Sequence, residues 1–166
     1  PEIRFESFFM PVENFRLVNT TVIEQVIRPE RGEDSAFEDI GLYIDELYAE
    51  LLFDPVTIRI GKIDPVFSLI DSDGDGINAD DLAGDVDASK SLGAEIAAGF
   101  DFAGHSQMLT GTVFTLDRSF LRHSLFTKRD VPKLSDGGAG NTRGLSSVSL
   151  VLDGCFNDKA DDCDDG

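Results

Sequence analysis

Two apolar runs meet at a two-residue Asp54-Pro55 turn, and the second of them alternates strictly. Val56, Ile58 and Ile60 fall on one side, and Thr57, Arg59 and Gly61 fall on the other. A period of two sends neighbouring side chains to opposite faces of a strand, and β-branched residues suit a pleated surface. A face of aliphatics backed by a face holding Arg and Gly fits two settings. One is a sheet laid over a protein core, and the other is a barrel wall between lipid and water.

The same patterning recurs along the chain. Strands are expected at Ile3–Met10, Phe15–Arg28, Asp39–Phe53, Val56–Ile63, Leu92–Phe102, Gln107–Leu116 and Leu145–Leu152, seven in all. Tight turns at Asp54-Pro55 and Gly104-His105 alternate with long Asp- and Gly-rich connections at 64–91 and 117–144. This predicts an all-β, antiparallel up-and-down meander in a single domain. Outer-membrane barrels share the asymmetry of short turns at one end and long loops at the other. No run of about 18 uncharged apolar residues occurs, which excludes a transmembrane helix but not a membrane barrel.

One segment reads differently. Ile40, Tyr43, Ile44, Leu47, Tyr48, Leu51 and Leu52 recur at helical spacing, so the local pattern of Asp39–Phe53 is that of an amphipathic helix. The two-residue turn into Val56 instead asks for an antiparallel partner strand, and the strand is the expectation adopted.

Three stretches carry a family resemblance. Phe37-Glu38-Asp39-Ile40-Gly41-Leu42 runs through Glu46-Leu47-Tyr48-Ala49, and Gly61-Lys62-Ile63-Asp64-Pro65-Val66-Phe67 follows. Ser135-Asp136-Gly137-Gly138-Ala139-Gly140-Asn141-Thr142 precedes the last strand. Together they resemble the first half of a Gram-negative outer-membrane porin family, over roughly residues 37–154. The resemblance implies a strand at Asp39–Phe53 and a β-barrel in the cell outer membrane that passes small hydrophilic solutes or ions. It also implies a partial chain, with further strands beyond Gly166. The opening at Pro1, without initiator Met or signal-like segment, fits a mature chain or a fragment incomplete at both ends. After Phe67 the chain departs from the pattern: an Asp-rich segment stands where such porins carry an aromatic, Gly-rich loop.

That segment, Asp71-Ser72-Asp73-Gly74-Asp75-Gly76-Ile77-Asn78-Ala79-Asp80-Asp81, belongs to a chain of net charge −18. Asp71, Asp73 and Asp75 at alternate positions would bring three carboxylates to one side of a tight loop, with Asp80 or Asp81 completing a Ca²⁺ site. Leu82 stands where an EF-hand needs its bidentate acid, so the spacing is nearer to extracellular Asp-rich repeats. A solvated acidic turn is the competing reading. A second functional class follows from it: a secreted or cell-surface calcium-binding β-domain with an adhesive role.

Cys155 and Cys163 are the only cysteines. An even count in an exported setting favours a disulfide between them, over a free pair or a metal site. His105 in a turn and His123 in a basic loop read as solvated imidazoles. No nucleophile is assembled with a base, so no enzyme is expected. Arg59 and Glu95 are the pore-facing candidates, with Arg118, Arg122 and Arg129 near the external mouth, where rings of one charge select ions by sign. The negative charge disfavours nucleic acid. The expected partners are the outer-membrane bilayer, small hydrophilic solutes and, where barrels associate, further copies of the chain.

Overall fold

Three two-residue connections decide the topology. Glu13-Asn14, Asp54-Pro55 (a cis peptide) and Ala103-Gly104 each leave too little chain for anything but an antiparallel partner. Ala103 and Gly104 both take positive φ, 54° and 83°, as hairpin turns that follow the strand twist require. This turn lies one residue before the Gly104-His105 expected from sequence, because His105 already pairs with Phe102.

The computed structural model describes residues 2–27, 39–65, 91–129, 131–136 and 140–154. Its strands are β1 (Glu2–Val12), β2 (Phe15–Gln25), β3 (Ile40–Phe53), β4 (Val56–Ile63), β5 (Ser91–Phe102), β6 (His105–Leu116), β7 (Leu125–Phe126) and β8 (Ser147–Gly154). They form one antiparallel meander in the order β1-β2-β3-β4-β5-β6-β8, with β7 pairing beside β3 off that path. The sheet is not closed into a barrel. The expected seven strands are those of the main path, and β7 is an addition. The three hairpins lie at one end, and the chain leaves β2, β4 and β6 at the other.

Asp39–Phe53 is a strand from Ile40 onward, not a helix, and its register explains the helical spacing. Thr20 faces Glu46 while Thr21 faces Ile44, so β3 carries one extra residue at Asp45–Glu46. Such a bulge shifts the alternation by one position. On the hairpin side of it Leu47, Ala49, Leu51 and Phe53 share one face; on the far side Ile40, Leu42 and Ile44 share that same face. Tyr43 and Tyr48 lie on the opposite face, and adding them to the shifted apolar series produces steps of three and one.

Among the described residues buried apolar side chains are few: Val22, Tyr43, Ile63, Phe114 and Leu116, all near the long-connection end. Pairing places Tyr48, Gly61, Gly93 and Phe114 in one row across four strands. Gly61 takes φ 147°, and a Cβ there would lie 2.3 Å from the Leu47 carbonyl oxygen. At Gly93 a Cβ would lie 2.5 Å from the Val113 carbonyl oxygen and 3.0 Å from the Phe114 Cβ. Both positions thus require glycine, one for its backbone and both for close approach.

The connection after β6 reaches back to β3 before returning to β8. Ser119 caps a single 3-10 turn, Phe120–Arg122, its Oγ accepting from the Leu121 amide at 3.1 Å. β7 then pairs with Gly41 and Leu42, and the Thr127 amide donates to the Ile40 carbonyl at 3.2 Å. Lys62 ties this connection to the sheet. Its side chain is 1% exposed, and Nζ donates to the carbonyls of Ile44 (2.6 Å) and Leu121 (3.1 Å), with the buried Asp117 carboxylate 3.6 Å away.

Candidate functional site: a charged row between two apolar rows

Register converts the alternation of each strand into rows that run across the sheet. Directly opposed residues share a face in an antiparallel pair. One row is Arg16, Glu50, Arg59, Glu95, Thr112 and Ser149, on β2, β3, β4, β5, β6 and β8. Its neighbours on the opposite face are wholly apolar. On one side run Phe15, Leu51, Ile58, Ile96, Gly111 and Leu150; on the other run Leu17, Ala49, Ile60, Ala94, Val113 and Val148.

From Arg16 to Thr112 the polar row is a continuous hydrogen-bonded chain, and the buried Ser149 Oγ beyond it has no hydrogen-bond partner among the described residues. Arg16 Nε donates to Glu50 Oε2 at 2.6 Å, and Arg59 Nε donates to Glu50 Oε1 at 2.9 Å. Arg59 Nη1 donates to Glu95 Oε1 at 3.0 Å, and Thr112 Oγ1 donates to Glu95 Oε2 at 3.2 Å. Each carboxylate is held from two sides, and the Arg59 guanidinium is shared by both. Arg59 also lies 5.7 Å from the Tyr48 ring centroid. The charges alternate and cancel, which is what a buried row of ions requires, since an isolated buried charge would cost several kcal/mol.

Burial is inverted relative to a soluble sheet. Glu50 is 1% exposed and Glu95 5%, whereas Leu150 on the opposite face is 73% exposed. Ile60, Ile96, Val148 and Leu152 are exposed as well. A water-soluble monomer rarely shows a contiguous apolar patch beyond a few hundred Å².

Nearer the long-connection end a second polar tier occupies the same face. Arg4 meets Asp45 at 3.5 Å, Thr20 Oγ1 donates to Glu46 Oε2 at 3.0 Å, and the Tyr43 hydroxyl donates to Glu24 Oε1 at 2.5 Å. Beyond it the basic loop forms a groove of about 760 Å³ lined by Val26, Ile27, Arg122, His123, Lys128, Arg129, Val131 and Lys133. Arg118 is exposed and takes no part in that lining.

Arg59 and Glu95, singled out from sequence, are thus on one face and bonded directly to each other. Arg16, Glu50 and Thr112 were missed. Turn counting could have found Glu50: three residues back on each side of the Phe53–Val56 pair reaches Glu50 and Arg59. Asp71, Asp73, Asp75, Asp80 and Asp81, and the cysteines Cys155 and Cys163, lie outside the described residues. Among the described residues no group of three or more His, Cys, Asp or Glu side chains is arranged to hold a metal ion. No protein-family model, curated protein or solved structure matches this chain.

Proposed function

We propose that the chain is part of an outer-membrane β-barrel of porin type, a passive channel for small hydrophilic solutes or ions in a Gram-negative cell envelope. The observation that carries this reading is the inverted sheet. A neutralised charged row is buried on one face, and two apolar rows spanning the same six strands are presented on the other. In a membrane barrel the apolar rows contact lipid and the polar row faces the aqueous lumen.

The division of labour follows from solvation. Lipid cannot hydrogen-bond a backbone group, so every strand must be paired, and the edges β1 and β8 would need partners from further strands of the complete protein. The lumen wall needs polar groups that water can reach, here the partly exposed Arg16 and Arg59, yet it must not hold a permeating ion. A row in which Glu50 and Glu95 are already satisfied by Arg16, Arg59 and Thr112 offers polarity without a strong binding site. Selection by size, with weak preference by charge, is the behaviour this wall supports.

The test uses the protein from the full reading frame, refolded into detergent and added to a planar bilayer. Discrete conductance steps, together with swelling of liposomes in small neutral sugars, are expected. A protein that stays monodisperse in buffer without detergent and gives no conductance would overturn the channel reading. It would favour the secreted calcium-binding β-domain.

A further inference from the structure

We infer that the basic groove at the long-connection end is a binding site for a phosphate-bearing molecule. The chain carries 32 acidic residues against 14 Lys and Arg, yet residues 118–133 hold five Lys and Arg and a single Asp. The fold gathers four of those five, Arg122, Lys128, Arg129 and Lys133, with His123, around one groove. Among the described residues no ion pair engages Arg122, Lys128 or Arg129.

The two guanidiniums are instead held in place by neutral groups. Arg129 lies over the Tyr43 ring at 3.8 Å, and its Nε donates to the Arg122 carbonyl at 3.1 Å. Its amide donates to Ser124 Oγ at 2.9 Å, and that hydroxyl donates to the Thr127 carbonyl at 2.6 Å. Arg122 Nη2 donates to the Pro132 carbonyl at 2.6 Å. These contacts fix orientation while leaving the positive charge intact. An Arg side chain has five N–H donors, so each retains terminal donors for a ligand. Planar forks of this kind match the oxygens of phosphate, and several clustered cations favour its double charge over a single carboxylate.

Size and lining narrow the ligand further. A space of about 760 Å³ suits a phosphorylated solute such as a sugar phosphate, not only an inorganic ion. Val26 and Ile27 supply an apolar wall for the part of the molecule that carries the phosphate. The phosphate could belong to a free solute or to a lipid headgroup, and the chemistry of recognition is shared.

The experiment is calorimetry on the folded full-length protein in the medium where it is monodisperse. The probes are glucose 6-phosphate, glucose, and detergent micelles doped with a phosphorylated lipid or with a neutral one. Glucose 6-phosphate bound well above glucose assigns the free solute, and phosphorylated micelles bound selectively assign the headgroup. In either case Arg122→Gln and Lys128→Gln should each weaken binding by about tenfold, the loss of one charge-assisted contact. Arg118→Gln, exposed and outside the groove, should not change it. Lys128 is exposed, so its variant tests the site even if Arg122→Gln disturbs the loop. Phosphorylated and neutral probes bound alike, or both groove variants binding as the parent does, would overturn the inference. Conductance is read separately, so failure here leaves the channel reading standing, and the converse holds.

Discussion

The Arg59 guanidinium meets the Glu50 carboxylate across the β3–β4 pair, Nε to Oε1 at 2.9 Å, with the carboxylate 1% exposed. Because Glu50 also accepts from Arg16, its removal leaves two guanidiniums short of a partner. Glu50→Ala should destabilise the sheet by about 1.5–3 kcal/mol for each charge-assisted bond lost, with screening at the half-exposed Arg ends reducing the total. Arg16→Ala should cost less, since Glu50 keeps Arg59. Urea titration of the folded protein checks the order of the two variants, and equal midpoints would refute it.

A charge placed on the apolar rows should act differently from the same charge on the polar face. Ile58 and Leu150 share one outward row, while Thr57 lies on the polar face. Arg at mid-bilayer on a barrel exterior costs about 2–4 kcal/mol. Ile58→Arg and Leu150→Arg should therefore block assembly, whereas Thr57→Arg should assemble and shift reversal potentials toward anions. An outer-membrane assembly assay on the full-length protein, followed by bilayer recording, makes the comparison. Equal tolerance at Ile58 and Thr57 would mean that no lipid-facing surface exists.

Gly61→Ala should destabilise more than a helix-free surface site would suggest. The new Cβ would lie 2.3 Å from the Leu47 oxygen at a φ of 147°, so the β3–β4 pair must open to admit it. A backbone strained in this way costs about 1–3 kcal/mol. Gly104→Ala, with no atom within 4 Å of the added carbon, should lose only the cost of its positive φ. Thermal melting of the two variants side by side measures the difference.

The Asp71 segment gives a separate prediction from sequence alone. If Asp71, Asp73 and Asp75 supply ligands, Ca²⁺ should bind the protein and Asp73→Ala should abolish that binding, because too few hard oxygens remain. Calorimetry with calcium on the parent and the variant decides this, and indistinguishable titrations would dismiss the site.

Strand positions and their order were legible because two-residue turns and period-two alternation are local properties. β4 has the predicted bounds, Val56–Ile63, and Asp39–Phe53 was placed as a strand because the turn and the family resemblance together outweighed its helical spacing. The bulge was hidden, since an extra residue at Asp45–Glu46 mimics a helical step. Register was partly legible: the Asp54-Pro55 turn pairs Glu50 with Arg59, but placing the next turn one residue late misaligns Glu95 with Thr112. Lys62 was not legible at all. Alternation puts it beside Ile60 and Leu92 on the outward parity, yet it is buried against Leu121, a residue 59 positions away. β7 pairs through two residues, too few for any pattern to register.

The extra residue in β3 has a consequence for how the wall can change over time. A regular strand cannot set consecutive residues on one face, but here Asp45 reaches Arg4 and Glu46 receives Thr20 on the same side. Deleting either acid would restore plain alternation and leave Ile40, Leu42 and Ile44 in phase with Leu47, Ala49 and Leu51. One carboxylate would vanish from the wall without a single substitution on the apolar side. Chain length at this point, rather than residue identity, thus becomes a heritable dial for the charge of the polar face.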